Sequence, residues 1–97
     1  MRAYVDAGEL RIVSGNHTYR TLIPRSYARA LAQGLRRARR KPGERRWSWA
    51  GGGSLTTWST PNDPWPLLVL HDRHELEPTV TELDQLIQTL ETYGRNR

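Results

Sequence analysis

The chain contains no cysteine, which removes disulfides, thiol chemistry and cysteine-ligated zinc from consideration. Long apolar runs are missing too. Met1 to Val13 is broken by Asp6, Glu9 and Arg11, so neither a signal peptide nor a membrane span is expected, and the expected compartment is cytoplasmic. A phosphate-loop signature is absent, because Gly51-Gly52-Gly53 lacks the Lys-Ser/Thr pair and no predicted helix follows to present its amino end. The most informative gap is in charge of one sign: no Asp or Glu lies between Glu9 and Glu44, the stretch in which arginine accumulates.

Ninety-seven residues make one domain, 1–97, since a second core would leave each half too little apolar surface to bury. Hydrophobic residues are only 36% and mean hydropathy is −0.76, but four tryptophans and four tyrosines bring large buried areas. A net charge of +5 and a pI near 10.4 favour an anionic partner.

The chain divides into strands, a basic helix, more strands and a final helix. Ala3 to Val5 reads as a short strand, and Asp6-Ala7-Gly8-Glu9 has turn chemistry. Leu10 to Val13 and His17 to Ile23 form a predicted hairpin about Gly15-Asn16, with Tyr19, Thr21 and Ile23 on one face. Pro24 ends this run and Ser26 is the expected N-cap of a helix. Tyr27, Ala30, Leu31, Gly34, Leu35 and Ala38 then recur at the spacing of a core-facing stripe. Arg25, Arg29, Gln33, Arg36 and Arg40 fall on the opposite side, a predicted ridge of guanidinium groups along about four turns.

Lys41-Pro42-Gly43-Glu44 breaks the helix. Arg45 to Ala50 and Leu55 to Thr60 read as a second hairpin around Gly51-Gly52-Gly53-Ser54. If Ala50 pairs with Leu55, then Arg45, Trp47, Trp49, Thr56 and Trp58 share one side. Pro61 to Pro64 is an expected loop, and Leu67 to Leu70 an expected strand buried on both faces. His71 to Glu75 is expected to leave the sheet. Thr79 and Glu82 make a capping box, with Val80, Leu83, Leu86, Ile87, Leu90 and Tyr93 as the apolar face of the last helix. Gly94 is its expected end, and Arg95 and Arg97 suit the negative pole of its dipole. Glu82, Asp84, Gln85, Gln88 and Glu91 form its expected solvent face. These elements sum to an α+β fold: a mostly antiparallel sheet of five to six strands with two helices on one face, in the order ββ(β)-α-βββ-α.

The chemistry-bearing residues point to binding rather than catalysis. Arg25, Arg29, Arg36, Arg37, Arg40, Arg45 and Arg46 are the expected nucleic-acid contacts, because a row of guanidiniums can follow a phosphate backbone without reading bases. The bland reading of the row is a solvated face, or one matched internally by the acids of the last helix. Trp47, Trp49 and Trp58 could stack bases beside Arg45 and Arg46, or form the core under the helices. The small, polar opposite face favours the core, which leaves Trp65 as the expected exposed indole.

His71 and His74 with Asp72, Glu75, Glu77 and His17 could suggest a metal, but a three-residue offset on a strand end puts the two imidazoles on opposite faces, so no metal is predicted. With Arg73 the same residues could serve a small ribonuclease, though no activated pair is visible. No cofactor is expected. Nor is a membrane-surface role, since the basic helix backs its charges mostly with alanine. The expectation is a non-enzymatic protein binding DNA or RNA. The alternative is a protein-interaction module, either a homodimer subunit or an adaptor or inhibitor docking its basic helix on an acidic partner.

Overall fold

The computed structural model describes residues 1–95, and the side chains of residues 63–66 lie outside that description. The elements are β1 (Arg2–Asp6), β2 (Glu9–Ser14), β3 (His17–Leu22), α1 (Arg25–Arg40), β4 (Gly43–Trp49), β5 (Gly53–Thr60), β6 (Asp63–Leu70), β7 (His74–Leu76) and α2 (Val80–Arg95). The α+β class and the order of elements follow the sequence reading, but the strands form two antiparallel sheets, β1-β2-β3 and β4-β5-β6-β7, where one of five or six was expected. Side chains, not a backbone ladder, fill the seam between the sheets. Trp49 Nε1 donates to Thr21 Oγ1 at 2.9 Å, and the Tyr19 and His74 rings lie 4.4 Å apart. Both sheets and both helices contribute to one buried cluster that includes Ile12, Leu31, Leu35, Leu55, Leu68, Leu70, Leu86 and Leu90.

The first hairpin turns at the expected Gly15-Asn16, with Ser14 opposite His17 and Gly15 at a φ of 60°. Ile12 faces Tyr19 and Leu10 faces Thr21, so alternation delivers one apolar face to the core.

The second hairpin does not have the expected register. Trp49 pairs with Gly53 and Trp47 with Leu55, closed by Ala50-Gly51-Gly52 with the two glycines at φ 99° and 88°. The expected pairing of Ala50 with Leu55 differs from this by an odd number of residues, which moves β5 to the opposite face. Leu55 and Thr57 therefore join Trp47 and Trp49 inside, while Trp58 is turned outward and is 52% exposed. The physical reason lies at Gly53. Its missing side chain leaves room for the Trp49 indole, and a Cβ there would meet Thr21 Oγ1 at 2.7 Å.

Thr57 is buried at 1% exposure and its Oγ1 has no hydrogen-bond partner among the described residues. A buried hydroxyl left without a partner costs about 1–3 kcal/mol, so Thr57→Val should stabilise the protein by about 1 kcal/mol. A thermal melt would register this as a rise of about 4–8 °C.

The loop expected at Pro61 to Pro64 is a tighter connection, with Thr60 paired to Asp63. Nor is β6 buried on both faces: Leu68 and Leu70 are inside while Leu67 and Val69 are half-buried on the outer face. After a turn in which His71 and Asp72 take φ of 54° and 60°, the chain returns as β7 rather than leaving the sheet.

Helix α1 begins one residue after Pro24, whose carbonyl accepts from Ala28 N at 2.9 Å, and no side chain caps it. Ser26 thus lies inside the first turn and is not the N-cap. The buried stripe is Ala28, Leu31, Ala32, Gly34, Leu35 and Ala38, with Ala30 exposed, because the helix is rotated to seat alanines against its neighbours. Gly34 admits the Trp47 ring, which a Cβ there would meet at 2.5 Å.

Helix α2 has its capping box: Glu82 N donates to Thr79 Oγ1 at 3.2 Å and Thr79 N donates to Glu82 Oε1 at 2.8 Å. Val80, expected in the apolar face, is 52% exposed. Gly94 does not end the helix, which continues to Arg95. It permits close packing on α1 instead, where a Cβ would meet Arg25 O and Arg29 N at 3.1 Å each. Arg97 falls outside the described residues.

The Met1 ammonium also donates to Glu82. This bond first, and the Thr79 N–H second, hold the Glu82 carboxyl below its usual range. A depressed carboxylate contributes stability that is complete above its unfolded value of about 4.3 and lost as pH falls through the lower folded value. Glu82→Gln should therefore lower the melting temperature at neutral pH by a few degrees, and the two proteins should converge as pH falls below the depressed folded value. Melting curves across that range check the sign.

Candidate nucleic-acid interface

The two helices run antiparallel, which brings the C-terminal half of α1 onto the outer acids of α2. Arg36 bonds Glu91 at 2.5 Å and Arg39 pairs with Asp84. At the other end Arg25 lies over the Tyr93 ring, 4.9 Å from its centroid. The predicted ridge is thus divided: Arg36 is held by a carboxylate of the last helix, Arg25 by an aromatic ring. Arg29, Arg37 and Arg40 are exposed and have no carboxylate partner among the described residues.

These groups surround two adjoining clefts that share Arg36. One, of about 260 Å³, is lined by Arg29, Gln33, Arg36, Glu91 and Arg95. The other, of about 240 Å³, is lined by Arg36, Arg39 and Arg40. The first sets three guanidiniums against one carboxylate, and the second has only guanidiniums in its wall, one of them tied to Asp84. Glu91 also accepts from Arg95 at 3.4 Å, so this single carboxylate positions arginines from both helices. A groove of about 580 Å³ between β1 and α2 has Arg25 as the one cation among its described lining residues.

Past the helix end, Lys41 is exposed and β4 carries the charge on. Arg45 is half-buried on the inner face. Arg46 points outward and grips Asp72 through two bonds of 2.9 and 3.3 Å. That grip draws the Asp72 carboxyl below its ordinary range and raises the Arg46 guanidinium further.

The three tryptophans do not form a common platform. Trp47 is half-buried on Gly34, and Trp49 is 7% exposed against Tyr27, whose ring centre is 5.8 Å away. Trp58 is on the far face, away from these two. Trp65 lies among the side chains outside the description. His71 Nδ1 accepts from Ser54 N at 3.4 Å, while His74 packs on Tyr19. No group of three metal-binding side chains occurs among the described residues.

Sequence reasoning missed Arg39 and gave Arg95 only a role toward its own helix dipole. The charge patterns of the two helices, one basic and one acidic, were the available signal for Arg39, but the pairing needs the antiparallel packing. No helix among the described residues is long and apolar enough to cross a membrane. The chain matches no family model, no curated protein and no solved structure.

Proposed function

We propose that this is a non-enzymatic nucleic-acid-binding protein that holds the phosphate backbone along α1 and the start of β4. The observation that carries the reading is the pair of arginine-lined clefts sharing Arg36, continued by Arg37, Arg40 and Lys41 at the helix end. Phosphate oxygens suit this arrangement, since a guanidinium offers two parallel N–H donors, and the carboxylates of Glu91 and Asp84 hold Arg36 and Arg39 in place beforehand. Exposed ion pairs of this kind are worth about 0–1 kcal/mol, so a phosphate can share or replace them at little cost. Each phosphate engaged also releases condensed counterions.

The decisive measurement is electrophoretic shift or anisotropy with single-stranded DNA, duplex DNA and RNA at low and raised salt. Binding that weakens steeply with salt supports the proposal, and no binding at low salt ends it.

The competing reading is an interaction module whose basic helix docks on an acidic protein. It is favoured by the fact that the clefts already accept carboxylates from α2. Light scattering after size exclusion separates the two, since a stable dimer indifferent to nucleic acid would support the module.

A further inference from the structure

We infer that the ligand is single-stranded and that one of its bases stacks on Trp58, on the outer face of the β4–β7 sheet; this rests on the phosphate-binding reading of α1. The helices cover the inner face, against Trp47 and Trp49, while Thr56, Leu67 and Val69 on the outer face are half-buried. On that outer face Trp58 stands 52% exposed, opposite Glu44 on one neighbouring strand and Leu67 on the other. Thr56 and Val69 continue the face, and Arg46, opposite Thr56, is diagonal to the indole. An exposed large aromatic, with the Arg46 guanidinium one residue pair away in an exposed pair with Asp72 that a phosphate can share at little cost, supplies the flat apolar surface and the cation that an unpaired base and its phosphate require.

Continuity with the arginine clefts sets the path. Glu44 pairs with Trp58, so the indole sits at the end of β4 where the chain arrives from α1. Lys41 precedes Glu44 by three residues, at most about 11 Å of chain, and the strands are about 4.8 Å apart. Trp58 therefore lies within about 16 Å of the end of the basic helix, a span that a segment of about four nucleotides covers. A backbone leaving Arg40 and Lys41 passes round the β4 edge and delivers a base to the indole.

A duplex cannot use this surface, because its base faces are hidden in the stack. Trp58 is set between Glu44 and Leu67, with Arg46, Thr56 and Val69 nearby, a mixed surround of charge and limited apolar area that suits a base better than a broad apolar protein contact. Glu44 disfavours a phosphate beside the indole but can accept a hydrogen bond from an exocyclic amino group of the stacked base.

The test uses the full chain with labelled oligothymidylate and oligoadenylate and a mixed-sequence duplex, at two salt concentrations. Trp58→Ala should weaken the single-stranded complexes about tenfold and leave duplex affinity and the salt slope unchanged; Trp58→Phe should restore most of the loss. Far-UV circular dichroism and melting temperature should match the parent, because the side chain is half in solvent. Unchanged single-strand binding by Trp58→Ala, or an equal loss on duplex, overturns the stacking inference while the phosphate reading stands. Failure of the parent protein to bind any of the three at low salt overturns both.

Discussion

Trp49→Ala should destabilise the protein by about 3–5 kcal/mol, the usual cost of emptying a buried aromatic site and a large part of the roughly 5–15 kcal/mol that holds a domain together. Trp49 is 7% exposed, packs on Tyr27, fills the space left by Gly53, and donates to Thr21 Oγ1 across the seam. Truncation would leave a cavity and also strand the Thr21 hydroxyl, which is itself 7% exposed. Because the two sheets share no backbone ladder among the described residues, this hydrogen-bonded side chain ties them directly. Urea or thermal unfolding followed by circular dichroism should show the midpoint fall by about 15–30 °C on the thermal scale. Trp58→Ala is the matched control. It removes the same indole from a half-solvated position and should move the midpoint by about 0.5 kcal/mol or less. Equal losses at the two positions would mean that the division into an inner and an outer face is wrong.

The second large effect concerns binding. Replacing Arg29, Arg37 and Arg40 together with alanine removes the exposed α1 arginines that have no carboxylate partner among the described residues, while leaving the Arg36–Glu91 and Arg39–Asp84 pairs that join the helices. Each phosphate contact contributes about 0.7–0.9 to the slope of log affinity against log salt, so the triple variant should lose about 2–3 in slope. At moderate salt that amounts to about 100- to 1000-fold weaker binding, spread evenly over sequences. All three side chains are exposed, and removing like charges spaced along one helix should slightly stabilise the fold. Slopes from anisotropy titrations at several salt concentrations check the prediction. A variant that binds with the parental slope would place the contact surface elsewhere on the molecule.

The site was partly legible beforehand. An acid-free run from 10 to 43 marked the basic helix, and Arg29, Arg37 and Arg40 do stand exposed on it. The fate of Arg25 and Arg36 was not legible, because Tyr93 and Glu91 lie more than fifty residues away along the chain and meet them only through helix packing. A loop of four residues between Ala50 and Leu55 would group Trp58 with Trp47 and Trp49. The chain uses Ala50-Gly51-Gly52 between Trp49 and Gly53, where positive φ at two glycines closes the turn. An odd error in register reverses the facing of every residue on the second strand.

What the amino-acid order settled unaided are features closed within about four residues: the Thr79–Glu82 capping box, the Gly15-Asn16 turn, the stop at Pro42, and the concentration of positive charge. Tertiary structure alone decided that the strands separate into two sheets, that Trp58 faces outward, and which guanidiniums are occupied by Glu91 and Asp84. Local rules depend on neighbours that the chain itself supplies. Sheet register and ion pairing depend on where a large indole can fit and how two helices lie across each other, and those are properties of the packed core.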